Sequence, residues 1–151
     1  MAYSNKNIKK LLDKPLIAHT IEQALQSKLF EHIVVSTDSD EIAKISKEYG
    51  AEVFFKREEE LSSDISGKLD VIKDAFIRSE EYYNKKFDVL VDLDATAPLR
   101  EVYDIINAVK QFKEENNSNL ITAVPSRKSP YFNLIEVTKD DRVVLSIIRA
   151  I

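Results

Sequence analysis

"DVLVDLDATAPLR", residues 88–100, decides how this chain is read. Together with Phe87, its first half reads as a strand over 87–93 that is apolar on both faces, the pattern of a central strand in a covered sheet. Two aspartates, Asp92 and Asp94, stand at the strand's exit. A turn of small residues, Pro98 and Arg100 then lead into a helix. Charges placed at such an exit can bind a metal, receive a phosphoryl group, hold a sugar, or cap the helix that follows.

The flanking sequence alternates between the two periodicities. "DKPLIAHTIEQALQSK" (13–28) predicts a helix: Asp13 and Pro15 suit its start, and Leu16, Ile17, Thr20, Ile21, Ala24 and Leu25 form one stripe. "HIVVS" (32–36) reads as a short buried strand. A helix over 39–49 follows, with Asp38 and Glu41 as a capping box and Gly50 as its left-handed end. "EVFF" (52–55) is the next strand. A polar loop over 56–68 then leads to a helix over 67–80 that carries Leu69, Ile72, Ala75 and Phe76 on one face. Beyond the opening stretch come a helix over 102–112, a strand over 119–125 and a β-hairpin within 132–148.

Strands and helices alternating in this way imply an α/β fold, a mostly parallel sheet with helices on both faces. Ligands in such sheets bind beyond the carboxyl ends of the strands. Those ends are Thr37–Asp38, Lys56–Arg57, Asp92 to Arg100, and Pro125 to Lys128. The chain opens on a helix where such sheets open on a strand, and it stops without a closing helix. Both ends are therefore expected to be cut, leaving one partial domain over residues 1–151.

Composition narrows the function classes. With 44% hydrophobic and 32% charged residues the chain has the balance of an ordinary globular domain. A net charge of −4 argues against nucleic acid or an anionic membrane as partner. The absence of cysteine excludes disulfides, thiolate nucleophiles and Cys-ligated zinc. No apolar run reaches the roughly 18 residues that a bilayer requires, and a cytoplasmic location is expected. Only two glycines occur, Gly50 and Gly67, where average usage of about 7% would give roughly ten. A glycine-rich phosphate loop is thus absent from the sequence.

Taken in order, "KNIKKLLDKPLIAHTIEQAL", "VVSTDSDEIAKISKEYGAEV", "KREEELSSDISGKLDVI", "DLDATAPLR" and "TAVPSRKSPYF" resemble the acylneuraminate cytidylyltransferase family, the CMP-sialic acid synthetases and their relatives acting on legionaminic or pseudaminic acid. The resemblance covers most of residues 6–132. It implies a Rossmann-like nucleotidyltransferase sheet and a CTP-dependent reaction. The anomeric hydroxyl of a nonulosonic acid attacks the α-phosphate, giving the CMP-sugar and pyrophosphate. It further implies Mg2+, a homodimer, and a place in lipopolysaccharide or capsule biosynthesis.

Carried over residue by residue, the resemblance puts Lys6, Asn7, Arg57, Asp64 and Lys68 on the nucleotide, and Asp94, Thr96 and Arg100 on the sugar. Asp94 stands where the family's "Q-P-T-S-P-L-R" segment has glutamine. A carboxylate accepts hydrogen bonds but cannot donate as an amide does, which points to a sugar other than plain N-acetylneuraminic acid, of the legionaminic type. Asp92 reads as structural, and Asp94 has the competing reading of a helix cap. Lys68 departs from the small hydroxyl residue common at its position. His19 and His32 read as structural.

The family's opening strand, its "A-R-G-G-S-K-G" phosphate motif and its later "D-x-D" metal pair have no counterpart in the sequence, so a chain short of full catalytic equipment is expected. Three rivals stand beside the synthetase. One is a non-catalytic remnant or dimerisation partner of a full-length enzyme. Another is a receiver domain, in which "VLVDLD" would present a phosphoacceptor and Lys128 with Pro130 the lysine-proline turn. The third is a nucleotidyltransferase acting on another sugar or a deoxy-octulosonic acid.

Overall fold

Pro15 sets the start of the first helix. The computed structural model, which describes residues 6–61, 67–115, 118–123, 135–140 and 142–145, places it at the N-cap of α1 (Leu16–Ser27) with φ −56°. Its ring fixes a φ suited to that entry, and it has no N–H to leave unpaired there. Just before it, β1 (Lys10–Leu11) and β2 (Lys14–Pro15) pair as a minimal antiparallel hairpin, with Leu12 at φ 56° in its turn. The expected stripe is the buried face of α1: Ile17, Ala18, Thr20, Ile21 and Ala24 are all enclosed. Leu25, assigned to that stripe from sequence, is exposed instead.

The second helix, α2 (Asp40–Glu48), is capped one residue later than the sequence suggests. The Ser39 hydroxyl, not the Asp38 carboxylate, accepts the Ile42 N–H at 3.3 Å. Ser39 stands at the N-cap itself, three residues before that amide, so its short side chain closes the turn and leaves Asp38 to other partners. The far end agrees with expectation. Gly50 has φ 92°, its N–H bonds Lys47 O at 3.1 Å, and Ala51 N–H bonds Ser46 O at 3.0 Å, the double closure of a Schellman motif.

Residues 33–37 and 52–57 run side by side in the same direction. Glu52 N–H donates to Ile33 O at 2.7 Å, Val35 N–H to Glu52 O at 3.0 Å, and Arg57 N–H to Thr37 O at 3.0 Å, around a parallel bridge between Val34 and Glu52. The expected strands at 32–36 and 52–55 are thus joined, though by a single bridge. The 87–93 run differs from expectation. Among the described residues no backbone partner lies along it, and its exposure alternates: Val89, Val91 and Leu93 are half-buried, whereas Leu90 is 51% exposed. Its half-buried residues share one face, and the run is unpaired among the described residues.

Two further helices, α3 (Lys68–Tyr83) and α4 (Val102–Glu114), match the predicted segments closely. At the start of α4, Asp104 Oδ2 accepts the Glu101 N–H at 2.9 Å, so this helix supplies its own cap. α1 packs against both α2 and α4. The core gathers Ile17, Ile21 and Ala51, with Ile33, Val35, Ile42, Ile45, Tyr49 and Ala95 around them. The C-terminal end of α3 adds an aromatic layer, in which Tyr82 stacks on Phe54 at 4.1 Å and Tyr83 on His32 at 3.7 Å.

The chain divides into two compact units, Met1–Asn116 and Asn117–Ile151. The second contains the predicted hairpin, with β3 (Ile135–Val137) antiparallel to β4 (Val143–Leu145). Residues 119–123 of the expected strand join no ladder among the described residues, and 124–125 lie outside them. The architecture described is therefore mixed α/β, with helices, one parallel bridge and small antiparallel pairs.

Candidate functional site

A cleft of about 840 Å3 opens in the first unit, walled by residues 29–38 on one side and 85–96 on the other. Six of the residues singled out from sequence line it: Lys6, Asn7, Arg57, Lys68, Asp94 and Thr96. They come from four separate places in the chain. The 3-10 turn Lys6–Ile8 supplies two, the loop after the 52–55 run supplies Arg57, the first turn of α3 supplies Lys68, and the exit of the 87–93 run supplies the last two. Arg100 lies outside the lining, and Asp64 lies outside the described residues.

The Asp94 loop is a self-bonded turn. One carboxylate oxygen, Oδ1, accepts both the Thr96 N–H at 2.8 Å and the Thr96 hydroxyl at 2.7 Å, and Ala97 N–H reaches Asp94 O at 3.2 Å. Asp94 therefore caps its own turn and not α4, whose cap lies at Glu101 and Asp104. The hydroxyl and amide of Thr96, followed by the positive charges of Lys68 and Lys6, outweigh partial burial and hold the Asp94 carboxyl below the usual carboxylate range. This oxygen arrangement leaves Asp94 ionised and acceptor-only, with Oδ2 taking no bond within the turn.

The loop is fixed to the fold by α1. Gln23 Nε2 donates to Pro98 O at 2.9 Å and also to Arg100 O, and Thr20 Oγ1 lies 3.4 Å from Asp94 O. Arg100 turns back into the loop: its guanidinium donates to Asp94 O at 3.0 Å and to Gln23 Oε1 at 3.4 Å. Arg100 thus shapes the loop from behind. Sequence reasoning missed Gln23 and absorbed Thr20 into the apolar stripe. The available signal was two polar residues adjoining a helical face that is otherwise aliphatic.

The cationic side is partly neutralised by its own acids. Arg57, whose side chain is 23% exposed, places Nη2 3.4 Å from Asp38 Oδ1. Lys68 Nζ lies 2.6 Å from Asp92 Oδ2, and this hydrogen bond, against some desolvation, raises the lysine pKa above its ordinary value. Asp92, which reads as structural from the sequence, pairs here with Lys68. Among the described residues Asn7 Oδ1 is buried with no hydrogen-bond partner, as is Ser36 Oγ in the 29–38 wall. Chemically the cleft offers two cations poised on carboxylates, a third in Lys6, one ionised acceptor, and two buried oxygens short of a donor. Both histidines serve structure: His19 Nε2 meets Leu11 O at 3.0 Å, and His32 Nδ1 meets Glu52 Oε1 at 3.0 Å.

A family model described as cytidylyltransferase matches residues 3–144. The chain is 60% identical over 142 residues to the post-translational flagellin modification protein B of Campylobacter coli, an alignment covering 94% of this chain and 60% of that protein. It is 56% identical over 142 residues to the CMP-N,N'-diacetyllegionaminic acid synthase of Campylobacter jejuni, with the same coverage of 94% and 60%. To the N-acylneuraminate cytidylyltransferase of Escherichia coli it is 37% identical over 126 residues, covering 83% of this chain and 29% of that protein. The chain thus spans 60% of the length of the two Campylobacter relatives.

Proposed function

The chain belongs to the cytidylyltransferase family, and from that premise we propose that it takes part in moving CMP from CTP onto a nonulosonic acid, with release of pyrophosphate. The observation that carries this reading is the meeting of Lys6, Asn7, Arg57 and Lys68 with Asp94 and Thr96 around one cleft. In the reaction the anomeric oxygen forms a bond to the α-phosphorus while the bond to the pyrophosphate oxygen breaks. Arg57 and Lys68 face the polyphosphate, where positive charge offsets the charge that gathers on the leaving oxygens. Asn7 and Lys6 face the nucleoside side. The first unit's parallel bridge supports reading the fold as part of a Rossmann-like sheet, with the whole chain as one cytidylyltransferase-like domain.

The sugar reading rests on Asp94. An ionised carboxylate that already accepts from Thr96 keeps lone pairs for N–H and O–H donors. A sugar carrying two acetamido groups offers such donors, as the name of the Campylobacter jejuni relative describes for its own substrate. A diacetylated, legionaminic-type acid is therefore the preferred acceptor, with Thr96 and Arg100 fixing the loop that reads it.

Among the described residues no group of three acidic or histidine side chains could hold a metal, and Asp92, the carboxylate nearest Lys68, is already bonded to it. These residues form no all-protein metal cage; an Mg2+ would enter the cleft with the nucleotide's phosphates and need only one or two protein carboxylates.

Calorimetric titration with CTP and magnesium tests the proposal without assuming the sugar. Saturable binding is expected, and Arg57→Ala should weaken it about tenfold or more, the scale of a charge-assisted bond. No binding up to millimolar CTP, or an unchanged affinity in the Arg57 variant, overturns it.

A further inference from the structure

Gln23 takes no part in lining the cleft, yet it holds the loop that presents Asp94. It lies on α1 beside the buried stripe, one turn after Thr20, and is itself half-buried. Its amide engages the loop through both of its polar atoms. Nε2 donates to Pro98 O at 2.9 Å and also to Arg100 O, and Oε1 accepts from the Arg100 guanidinium at 3.4 Å. A side-chain amide carries two N–H donors and a carbonyl acceptor on one group. A carboxylate keeps the acceptor and loses both donors.

Among the described residues no backbone N–H bonds Pro98 O or Arg100 O. Leu99, between them, is 91% exposed and adds almost no buried apolar surface. The other arm of the Arg100 guanidinium, Nη2, donates to Asp94 O at 3.0 Å, where Thr20 Oγ1 also lies at 3.4 Å. The bonds thus run in a line, from Gln23 to Arg100 and from Arg100 to the Asp94 main chain. That main chain carries the carboxylate whose Oδ1 takes the Thr96 amide and hydroxyl. The nucleotide-side residues Lys6, Asn7 and Arg57 come from other segments of the chain.

We propose that Gln23 is a positioning residue for the acceptor sugar. Through Arg100 it sets where the Asp94 carboxylate stands in the cleft, and so which acids bearing N–H and O–H donors are accepted. A polar group displaced by about 1 Å loses much of its effect on a bound substrate. The nucleotide side is left untouched. The inference rests on the sugar-reading role of Asp94 and adds to it a residue that the sugar never meets.

Gln23→Met tests it, since methionine keeps the length and volume of glutamine and loses its polar contacts. Gln23→Glu is the second variant, which keeps the acceptor for Arg100 and sets a charge against two carbonyls. The Val35 amide, bonded to Glu52 O, reports in both that the fold is formed. Calorimetry follows CTP first, then a diacetylated, legionaminic-type acid added to the CTP-loaded chain. Both variants should bind the acid at least about fivefold more weakly, the scale of one lost hydrogen bond, with CTP affinity kept within about twofold.

A spectroscopic signature needs no sugar. Thr96 N–H bonds Asp94 Oδ1, so its resonance follows the titration of that carboxyl. In the wild-type chain the midpoint should lie below the ordinary carboxylate range. In both variants it should move up, as the loop draws away from the charges of Lys68 and Lys6. An unchanged acid affinity, acid and CTP weakened together, or an unmoved Thr96 midpoint each overturns the inference and leaves the nucleotidyl reading standing. A Val35 amide that loses protection in both variants does the same, since Gln23 would then serve stability alone. No acid bound by the wild-type chain overturns the sugar reading, and this inference with it.

Discussion

The two walls of the cleft are held in opposite ways. The 33–37 wall is bonded through its backbone to 52–57 and through its side chains to the core. The 87–93 run of the other wall has no backbone pairing of its own among the described residues. It is anchored at its exit by side chains of α1, chiefly Gln23, and at its entrance by Phe87 and Lys85. One wall is positioned along its whole length and the other at its two ends. The candidate sugar-reading residues all belong to the second kind. Their geometry therefore depends on a few side-chain hydrogen bonds, where that of Arg57 begins from a backbone bond.

Removing the shared floor breaks both walls at once and has the largest expected effect. Ile21 is 3% exposed and belongs to the cluster that both walls pack upon. Ile21→Ala should cost about 2–5 kcal/mol, from lost burial plus the cavity left behind. Leu90→Ala, on the exposed face of the second wall, should change stability by no more than about 0.5 kcal/mol. Urea unfolding of the two variants checks the contrast. A Leu90 variant as unstable as the Ile21 variant would mean that the outer face of 87–93 is covered after all.

Gln23 separates the two kinds of anchoring. Gln23→Ala removes the donor to Pro98 O and Arg100 O and leaves carbonyls short of a partner, at a cost of about 1–3 kcal/mol. Its effect should fall on the second wall alone. Amides around Thr96 should exchange faster while that of Val35 stays protected. Equal loss at both would show that the walls unfold as one.

Much of this was legible in the sequence, for reasons that the elements make plain. Helices α1 to α4 were readable because their apolar spacing and their end signals, Pro15 and Gly50, are local. The strand status of 87–93 was not, because an apolar run reports burial and cannot report whether a neighbour is there to pair with it. The cap on α2 was placed one residue early because Asp38 and Ser39 are both good capping types, and only geometry selects between them. Lys6, Asn7, Arg57, Lys68, Asp94 and Thr96 came from matching motifs, and the fold does bring them to one cleft. Gln23, Asp92 as a partner of Lys68, and the inward turn of Arg100 depend on contacts between distant segments, and no spacing rule predicts them.

Acid should loosen the first wall through Glu52. Burial works to raise the Glu52 carboxyl, but hydrogen bonds from Tyr83 and His32, with the charge of His32, outweigh it and hold the pKa below the ordinary value. A carboxyl whose folded pKa is depressed adds stability above its unfolded pKa, and that stability is lost as pH falls through the folded value. The thermal midpoint should therefore decline below about pH 5, where glutamate begins to protonate in the unfolded chain. Glu52→Gln should flatten that decline. An identical pH profile in the variant would place the acid-sensitive group elsewhere.

The smallest effect expected is a gain, and it bears on how the first wall presents its cation. Arg57 keeps its guanidinium against Asp38, so an arriving polyphosphate must compete with a carboxylate 3.4 Å away. Asp38 is half-exposed, and solvent screens the pair, so its hold on Arg57 is modest. Asp38→Asn removes the competing charge and does not disturb α2, whose cap is Ser39. CTP affinity should rise, by less than about fivefold, the most that a screened pair of under about 1 kcal/mol permits, and the rise should shrink as salt increases. A loss of affinity would show the opposite arrangement, in which Asp38 orients Arg57 toward the nucleotide. The carboxylate would then be a positioning residue of the site.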